Sequence, residues 1–258
     1  MRGAASAPKE IRRALFSDAT TLMTESGVDL GREGAMGDLG DLSFRRREDI
    51  RETIEKIGGA VSAINERGKK PIFLGGDHFV TYPVIRALGK KIDALTIVHL
   101  DAHADIYDSY GGNIYSHASP FARIMEERLA SRLITIGVRT MNDHQREQVK
   151  RFGVEVVRIS EIGEAGGVSK LDRLDLGGRP VYVSFDMDVL DPAFAPGVSH
   201  HEPGGMTTRQ AIDLIDSIDA EIVGADVVEL NPRRDGSGIT AAAAAKIVKE
   251  IAGVMIGE

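Results

Sequence analysis

The sequence contains no cysteine and no tryptophan among its 258 residues. Without cysteine, the chain cannot form disulfide bonds, thiolate nucleophiles, zinc ribbons or iron–sulfur clusters. Its eight Phe and five Tyr are too few for an aromatic platform on which nucleic-acid bases could stack. Positive charge is also scarce, because 32 Lys and Arg residues against 39 Asp and Glu residues leave a formal net charge of −7. A nucleic-acid-binding protein is therefore not the expected class.

Long apolar runs are absent as well. No stretch approaches the roughly 18 consecutive apolar residues of a membrane-spanning helix. Residues 1–10 lack the apolar core of a secretory signal. With 42% hydrophobic and 28% charged residues, the composition is that of an ordinary globular protein. We expect a soluble, cytoplasmic protein that binds neither membrane nor nucleic acid.

Short runs rich in Val and Ile alternate with amphipathic stretches. The runs have the length and composition of buried strands, and they cover residues 71–75, 95–100, 133–138, 154–157, 180–185 and 222–228. Helical periodicity occupies residues 50–66, 211–218 and 240–255, with Thr240 as a predicted N-cap, and Pro8 marks the start of another helix. This alternation predicts an α/β protein whose single parallel sheet is covered by helices on both faces.

The domain organisation follows from the absence of breaks in this pattern. The chain has no Pro- or Ser-rich linker and no internal repeat. We therefore expect one domain over residues 1–258. The loosest stretch, residues 163–178, is predicted to be a surface loop with a short helix.

The segment Asp101-Ala-His103-Ala-Asp105 carries the strongest chemical signal. It follows a predicted strand, and its three polar side chains alternate, so they would start on one face of an extended chain. The carboxyl ends of strands are where open α/β sheets place their sites. The alternative is a strand that runs into a polar loop in which Asp and His serve as caps.

Two further strands end in the same kinds of residue. Asp186 and Asp188 follow the run at 180–185, and like charges so placed repel each other unless a cation lies between them. His78 follows two glycines after the run at 71–75. Taken alone, His78 is typical of a satisfied, partly buried histidine.

Together these positions predict a metal centre. Four carboxylates and two imidazoles exceed the ligands of one tetrahedral zinc ion and suit two ions that share carboxylates; the six residues are His78, Asp101, His103, Asp105, Asp186 and Asp188. This donor set favours Mn²⁺ over metals that prefer sulfur. Two such ions about 3.5–4 Å apart can activate water for hydrolysis. No Gly-x-Ser-x-Gly motif signals a serine nucleophile.

Three motifs of the chain resemble the signatures of the ureohydrolases, the family of arginase, agmatinase and their relatives. They are Gly-Gly-Asp-His at 75–78, Asp-Ala-His-Ala-Asp at 101–105, and Ser-Phe-Asp-Met-Asp-Val-Leu-Asp-Pro-Ala-Phe-Ala-Pro-Gly at 184–197. The resemblance extends from about Gly3 to Ile251. It implies a three-layer α/β/α fold with a mainly parallel sheet, and hydrolysis of a guanidino group to urea with two Mn²⁺ ions per chain. It also implies a homo-oligomer, either a trimer or a hexamer.

The same resemblance assigns roles to two residues outside the ligand set. His117 matches the histidine that moves protons between the site and bulk water, and an ordinary imidazole pKa suits that role. Its alternative is a surface-loop histidine. Glu229 matches the carboxylate that holds the guanidinium of the substrate. Its alternative is an ion pair with an arginine of the protein.

The substrate is predicted from residues 105–126, which include the loop at 106–116 and are similar to plant-type arginases through Asp-Ile-Tyr-Asp and Tyr-Ser-His-Ala-Ser. L-Arginine is therefore the expected substrate, with agmatine as the alternative. The loop and the turn at 139–142 are the expected readers of the substrate's far end; their candidate residues are Asn113, Ser116 and Asn142.

Two other readings of the family resemblance stay open. The first is a non-catalytic relative that binds metal on the same fold. The second is a deacetylase-like hydrolase with one zinc ion. One departure from the family concerns residues 3–8, which match a region that another strand and a Gly-rich segment usually precede. We expect either that the sheet lacks that strand or that the natural reading frame starts upstream; all six ligands remain in both cases.

Overall fold

Six strands form one sheet in which every neighbouring pair is parallel, in the order β1-β6-β5-β2-β3-β4. This computed structural model describes residues 3–45, 48–162 and 175–257, so most of the loop predicted at 163–178 lies outside the described residues. The strands are β1 (Ile72–Leu74), β2 (Thr96–Leu100), β3 (Arg132–Val138), β4 (Glu155–Arg158), β5 (Val181–Asp186) and β6 (Ile222–Val228). All residues of the central strands β2 and β5 are buried, as their Val- and Ile-rich sequences predict.

Helices cover both faces of the sheet. They are α1 (Ala7–Leu15), α2 (Ile50–Asn65), α3 (Thr81–Leu88), α4 (Pro120–Glu126), α5 (Asp143–Phe152), α6 (Thr208–Asp216) and α7 (Ile239–Ile256). One apolar core packs α1, α6 and α7 against the sheet, and the other packs α2, α3, α4 and α5 against the opposite face. Alternate residues of β2 supply the two cores, with Val98 in the first and Ile97 in the second. The predicted three-layer α/β/α fold is confirmed.

The helix starts confirm one prediction from the sequence and correct another. Pro8 lies in the first turn of α1, as expected. Thr240 is not the N-cap of α7, because that helix begins one residue earlier, after Gly238. The hydroxyl of Thr240 instead accepts a hydrogen bond from the amide of Gly197 at 2.7 Å. Asp235 accepts hydrogen bonds from the first-turn amides of Thr240 and Ala241.

Parallel pairing brings the carboxyl ends of the strands to one edge of the sheet, where the polar motifs lie. Gly137 at the end of β3 makes this close arrangement possible, because its φ is +99° and an added Cβ would approach Val189 Cγ2 to 2.5 Å. Gly75 has the same role after β1, where a Cβ would lie 2.7 Å from Val228 Cγ1. Among the described residues, no helix has both the length and the apolar character needed to cross a bilayer.

Candidate metal centre

His78 lies at the centre of the first group of candidate ligands. Its imidazole is fully buried, and its Nδ1 atom lies 3.1 Å from Asp105 Oδ2, 3.1 Å from Asp186 Oδ2 and 3.3 Å from Asp101 Oδ2. Within the described part of the chain, Nδ1 makes no contact of hydrogen-bond geometry. A buried nitrogen that faces three carboxylates without a hydrogen bond is costly unless another partner binds it. A cation between these four side chains would satisfy all of them.

A second group of candidate ligands adjoins the first. His103 Nδ1 lies 3.3 Å from Asp101 Oδ1 and 3.2 Å from Asp188 Oδ2. Asp101 belongs to both groups and directs one oxygen towards each histidine. In each group the candidate ligand atoms lie within 4.8 Å of one another. The six residues singled out by their positions after strands are therefore brought together by the fold.

The charges of this cluster are poorly balanced in the absence of a cation. Burial raises the pKa of Asp186 well above its usual range, and the neighbouring charge of Asp188 raises it further. Burial and the charge of Asp101 raise the pKa of Asp188 to about 6. Burial lowers the pKa of His103, but its contacts with Asp101 and Asp188 outweigh that effect and raise it to about 12. Divalent ions would compete with protons for these groups, and the oxygen and imidazole donors fit such ions.

A hydrogen-bonded network behind His78 fixes the orientation of its ring. Ser184 Oγ lies 2.9 Å from His78 Nε2 and donates a hydrogen bond to Asp226 Oδ1 at 2.8 Å. Since the Ser184 proton points to Asp226, the Ser184 oxygen is free to accept from His78 Nε2–H. Asp226 also accepts from Thr81 and Tyr182 at 2.9 and 2.8 Å. This arrangement directs Nδ1 towards the carboxylates, as an outer support of a metal-binding histidine does.

His99 supports Asp101 in a similar way. It is fully buried, its Nε2 atom lies 2.8 Å from Asp101 Oδ2, and its Nδ1 atom lies 3.2 Å from Thr135 Oγ1. Burial lowers the pKa of His99, so its neutral form is favoured. The sequence did not indicate this contact of His99 with Asp101.

Glu229 is buried beside this cluster. Its Oε1 atom accepts a hydrogen bond from the backbone amide of His78 at 2.9 Å. Burial and the negative charge of Asp77 raise the pKa of Glu229 to about 8. Within the described residues no Arg or Lys pairs with Glu229, so the alternative of an ion pair with a protein arginine finds no support there. Its backbone φ of +64° is unusual for a residue with a side chain, and such backbone strain is typical of functional sites.

His117 is half-buried on the loop between β2 and α4. Its ring stacks on that of His200 with centroids 5.4 Å apart, and the ring of Tyr110 lies against it at 5.8 Å. His200 in turn contacts His103 edge-on, at a centroid distance of 6.1 Å. His117 is thus linked to the candidate ligand cluster through one intervening ring.

The three residues predicted to read the far end of the substrate differ in their surroundings. Asn142 is exposed, caps α5 by accepting from the amide of Gln145, and donates to the hydroxyl of Tyr107. Ser116 is buried, with its hydroxyl 2.8 Å from that of Ser119. Asn113 is exposed in a turn, and its side chain accepts from the amide of Tyr115. In the described chain, none of the three is hydrogen-bonded to a candidate ligand.

Arg139, in the turn that was expected to contact substrate, binds the backbone instead. Its guanidinium donates to the carbonyls of Asp188, Val189, Leu190 and Glu202 at 2.6–3.3 Å. These contacts hold the segment that follows β5 and carries Asp188. The sequence contained no signal of this role, because the partners of the side chain are carbonyl groups rather than acidic residues.

Comparison with known proteins places the chain among enzymes that act on guanidino compounds. The model of the "Arginase family" matches residues 1–253. A protein named "Arginase 1, mitochondrial" from Arabidopsis thaliana is 43% identical over 259 residues, which are 98% of this chain and 76% of the relative. The solved arginase of Medicago truncatula superposes with a TM-score of 0.90 at 39% identity, covering 99% of this chain and 82% of that one. An agmatinase of Bacillus anthracis is 36% identical over 206 residues, or 79% of this chain and 70% of the relative.

The names of these relatives correct one expectation. The plant proteins from Arabidopsis thaliana, Medicago truncatula and Oryza sativa are named mitochondrial or chloroplastic/mitochondrial. The expectation of a cytoplasmic protein, which was based on the lack of a secretory signal, is therefore wrong. The lack of an apolar signal core excludes only one kind of targeting segment.

Proposed function

The chain belongs to the arginase family, and we propose that it hydrolyses L-arginine to L-ornithine and urea with two Mn²⁺ ions per chain. The observation that carries this proposal is the pair of adjoining ligand groups that share Asp101. The plant arginases at about 40% identity over nearly the whole chain support arginine as the substrate.

The ligand assignment rests on the donor set and on the position of His78. The first ion would be held by His78 and by carboxylates of Asp101, Asp105 and Asp186, and the second by Asp101, His103 and Asp188. Carboxylates with some imidazole and no sulfur suit Mn²⁺. When bound, the two ions supply Lewis-acid activation of water for attack on a guanidino carbon.

Glu229 is proposed to bind the guanidinium of the substrate. In the free protein, burial favours the neutral form of its carboxyl group. A bound cation reverses that preference, because an opposite charge at contact distance stabilises the carboxylate. The buried carboxylate of Glu229 then holds the reacting carbon near the ligand cluster, and the bound guanidinium supplies the opposite charge that this carboxylate needs.

His117 is proposed to carry protons between the site and bulk water. In the overall reaction, water adds to the guanidino carbon and the bond from that carbon to the side-chain nitrogen breaks. The leaving amine takes up a proton, and the products are ornithine and urea. A half-buried imidazole that is one ring away from the candidate ligand cluster suits this transfer.

The test is urea release by the Mn²⁺-loaded chain, with arginine and agmatine compared at equal concentration. The proposal predicts a higher kcat/KM for arginine and no urea from the metal-free chain. A preference for agmatine would assign the chain to the activity of its agmatinase relatives. Urea release from neither compound, with two ions bound, would overturn the proposed substrate and favour a non-catalytic relative.

A further inference from the structure

We propose that His200 is a positioning residue that holds the imidazole of His117 in its working orientation by ring stacking. This inference rests on the proposed function, because it concerns the proton transfer assigned to His117. None of the sequence motifs assigned a role to His200.

The surroundings of His117 explain why such a residue is needed. Within the part of the chain that the structure describes, no group forms a hydrogen bond with the His117 ring, so hydrogen bonding does not fix its rotation. Two rings flank it instead. His200 lies nearly parallel to it, with an interplanar angle of 16° and centroids 5.4 Å apart, and Tyr110 packs against it at 67°. These distances are those of offset-stacked and edge-to-face pairs.

His200 is well placed for this role because the segment before it is bound to the chain that follows β6. Val198 pairs with Leu230 in an isolated antiparallel bridge. The carbonyl of Gly197 accepts from the amide of Asn231 at 2.6 Å. Ser199 is buried and accepts from the side chain of the same Asn231 at 2.9 Å. Residues 197–199 are thereby held against the chain that follows Glu229.

The other side of His200 faces the ligand cluster. Its ring meets His103 edge-on at 81°, with centroids 6.1 Å apart. His200 is therefore a spacer between His117 and the metal side of the site. It sets both the tilt of the His117 ring and its distance from the reacting groups. An imidazole that is free to rotate would spend less time in the geometry for proton transfer.

The adjacent His201 offers a matched control. Its ring nitrogen Nε2 lies 2.8 Å from the carbonyl oxygen of Pro196, and no ring contact joins it to His117 among the described residues. The experiment compares His200→Ala, His200→Phe and His201→Ala with the parent chain. Each is loaded with Mn²⁺, and kcat, KM for arginine and metal content are measured. His200→Phe keeps a flat ring but removes both nitrogens.

We expect His200→Ala to lower kcat about three- to tenfold, the loss that one aromatic pair produces when it is broken. KM and metal content should stay within about twofold of the parent values, since stacking on His117 affects proton transfer rather than binding. His200→Phe should restore most of kcat, and His201→Ala should match the parent. In a His117→Ala background, His200→Ala should cause no further loss, because the residue it positions is absent.

Three results would overturn the inference. These are a rise in KM with unchanged kcat, which would make His200 a substrate contact; a His200→Phe variant as slow as His200→Ala; and losses that multiply in the double variant. A parent chain that releases no urea from any guanidino compound would instead overturn the proposed function, so the two failures are distinguishable.

Discussion

Replacing Ser184 with alanine should weaken metal binding although Ser184 is not a proposed ligand. In the structure, the Ser184 oxygen lies 2.9 Å from Nε2 of His78, and its proton is given to Asp226. The substitution removes the acceptor that keeps the His78 proton on Nε2. A metal ion bound through Nδ1 requires the remaining ring proton to lie on Nε2, and the variant leaves that proton without an acceptor.

The size of the effect follows from the contacts that are lost. Loss of such an outer support typically lowers metal affinity by about 10- to 100-fold. The metal-free protein should also lose stability, by about 1–3 kcal/mol, because a buried N–H of His78 is left without an acceptor. Thr81 and Tyr182 both donate to Oδ2 of Asp226, so its buried Oδ1 atom loses the hydrogen bond from Ser184 and adds to the loss of stability.

The assay is calorimetric titration of the metal-free chain with Mn²⁺, together with urea denaturation of the metal-free form. Thr96→Val is the matched control. Thr96 is a buried hydroxyl on the neighbouring strand β2, and it has no hydrogen-bond partner in the described chain. Its removal should leave both affinity and stability unchanged or slightly improved. An affinity of Ser184→Ala within about twofold of the parent would refute the reasoning.

Four other outcomes are expected. Asp188→Ala should reduce the metal content from two ions to one and abolish urea release. Elemental analysis after dialysis and a urea assay measure the two effects. A variant that keeps two ions and full urea release would contradict the assignment of Asp188 as a ligand. Metal affinity should rise with pH, because the pKa of His103 is raised to about 12 without metal and binding must displace its proton. Calorimetry in buffers of different ionisation enthalpy should detect the release of that proton. A pH-independent affinity would be inconsistent with it. Glu229→Gln should keep both ions but lower kcat/KM for arginine about 100-fold or more, and steady-state kinetics showing less than a tenfold loss would remove Glu229 from guanidinium binding. Arg139→Lys should destabilise the chain by about 1–3 kcal/mol in urea denaturation, because lysine cannot reach four carbonyls at once, and an unchanged midpoint would show that these hydrogen bonds are dispensable.

The candidate ligands could be found from the sequence because of a general property of parallel sheets. Asp186 ends a recognisable strand, Asp101 and His78 follow two others, and parallel pairing carries all three to the same edge. These residues lie far apart in the sequence, but the parallel arrangement of their strands brings them together. The layers of the fold were predictable for the same reason, from alternating strands and helices.

The supports of the cluster could not be found in this way. Ser184 and Asp226 lie inside two buried strands and are 42 residues apart in the sequence. A polar residue within a run of Val and Ile gives no indication of its partner, because fully buried strands lack the alternation that distinguishes inward from outward positions. Thr240 shows a related limit. Its hydroxyl could have capped α7, but the distant amide of Gly197 binds it instead. His200 depends on the path of a long loop, which local sequence does not determine.

The most direct test of the central claim is the rate of urea release from arginine during titration of the metal-free chain with Mn²⁺. Two adjoining ligand groups that share Asp101 predict that activity is negligible without metal and reaches its full value at two ions per chain. Full activity without metal, full activity at one ion per chain, or no urea at two ions per chain would contradict the account.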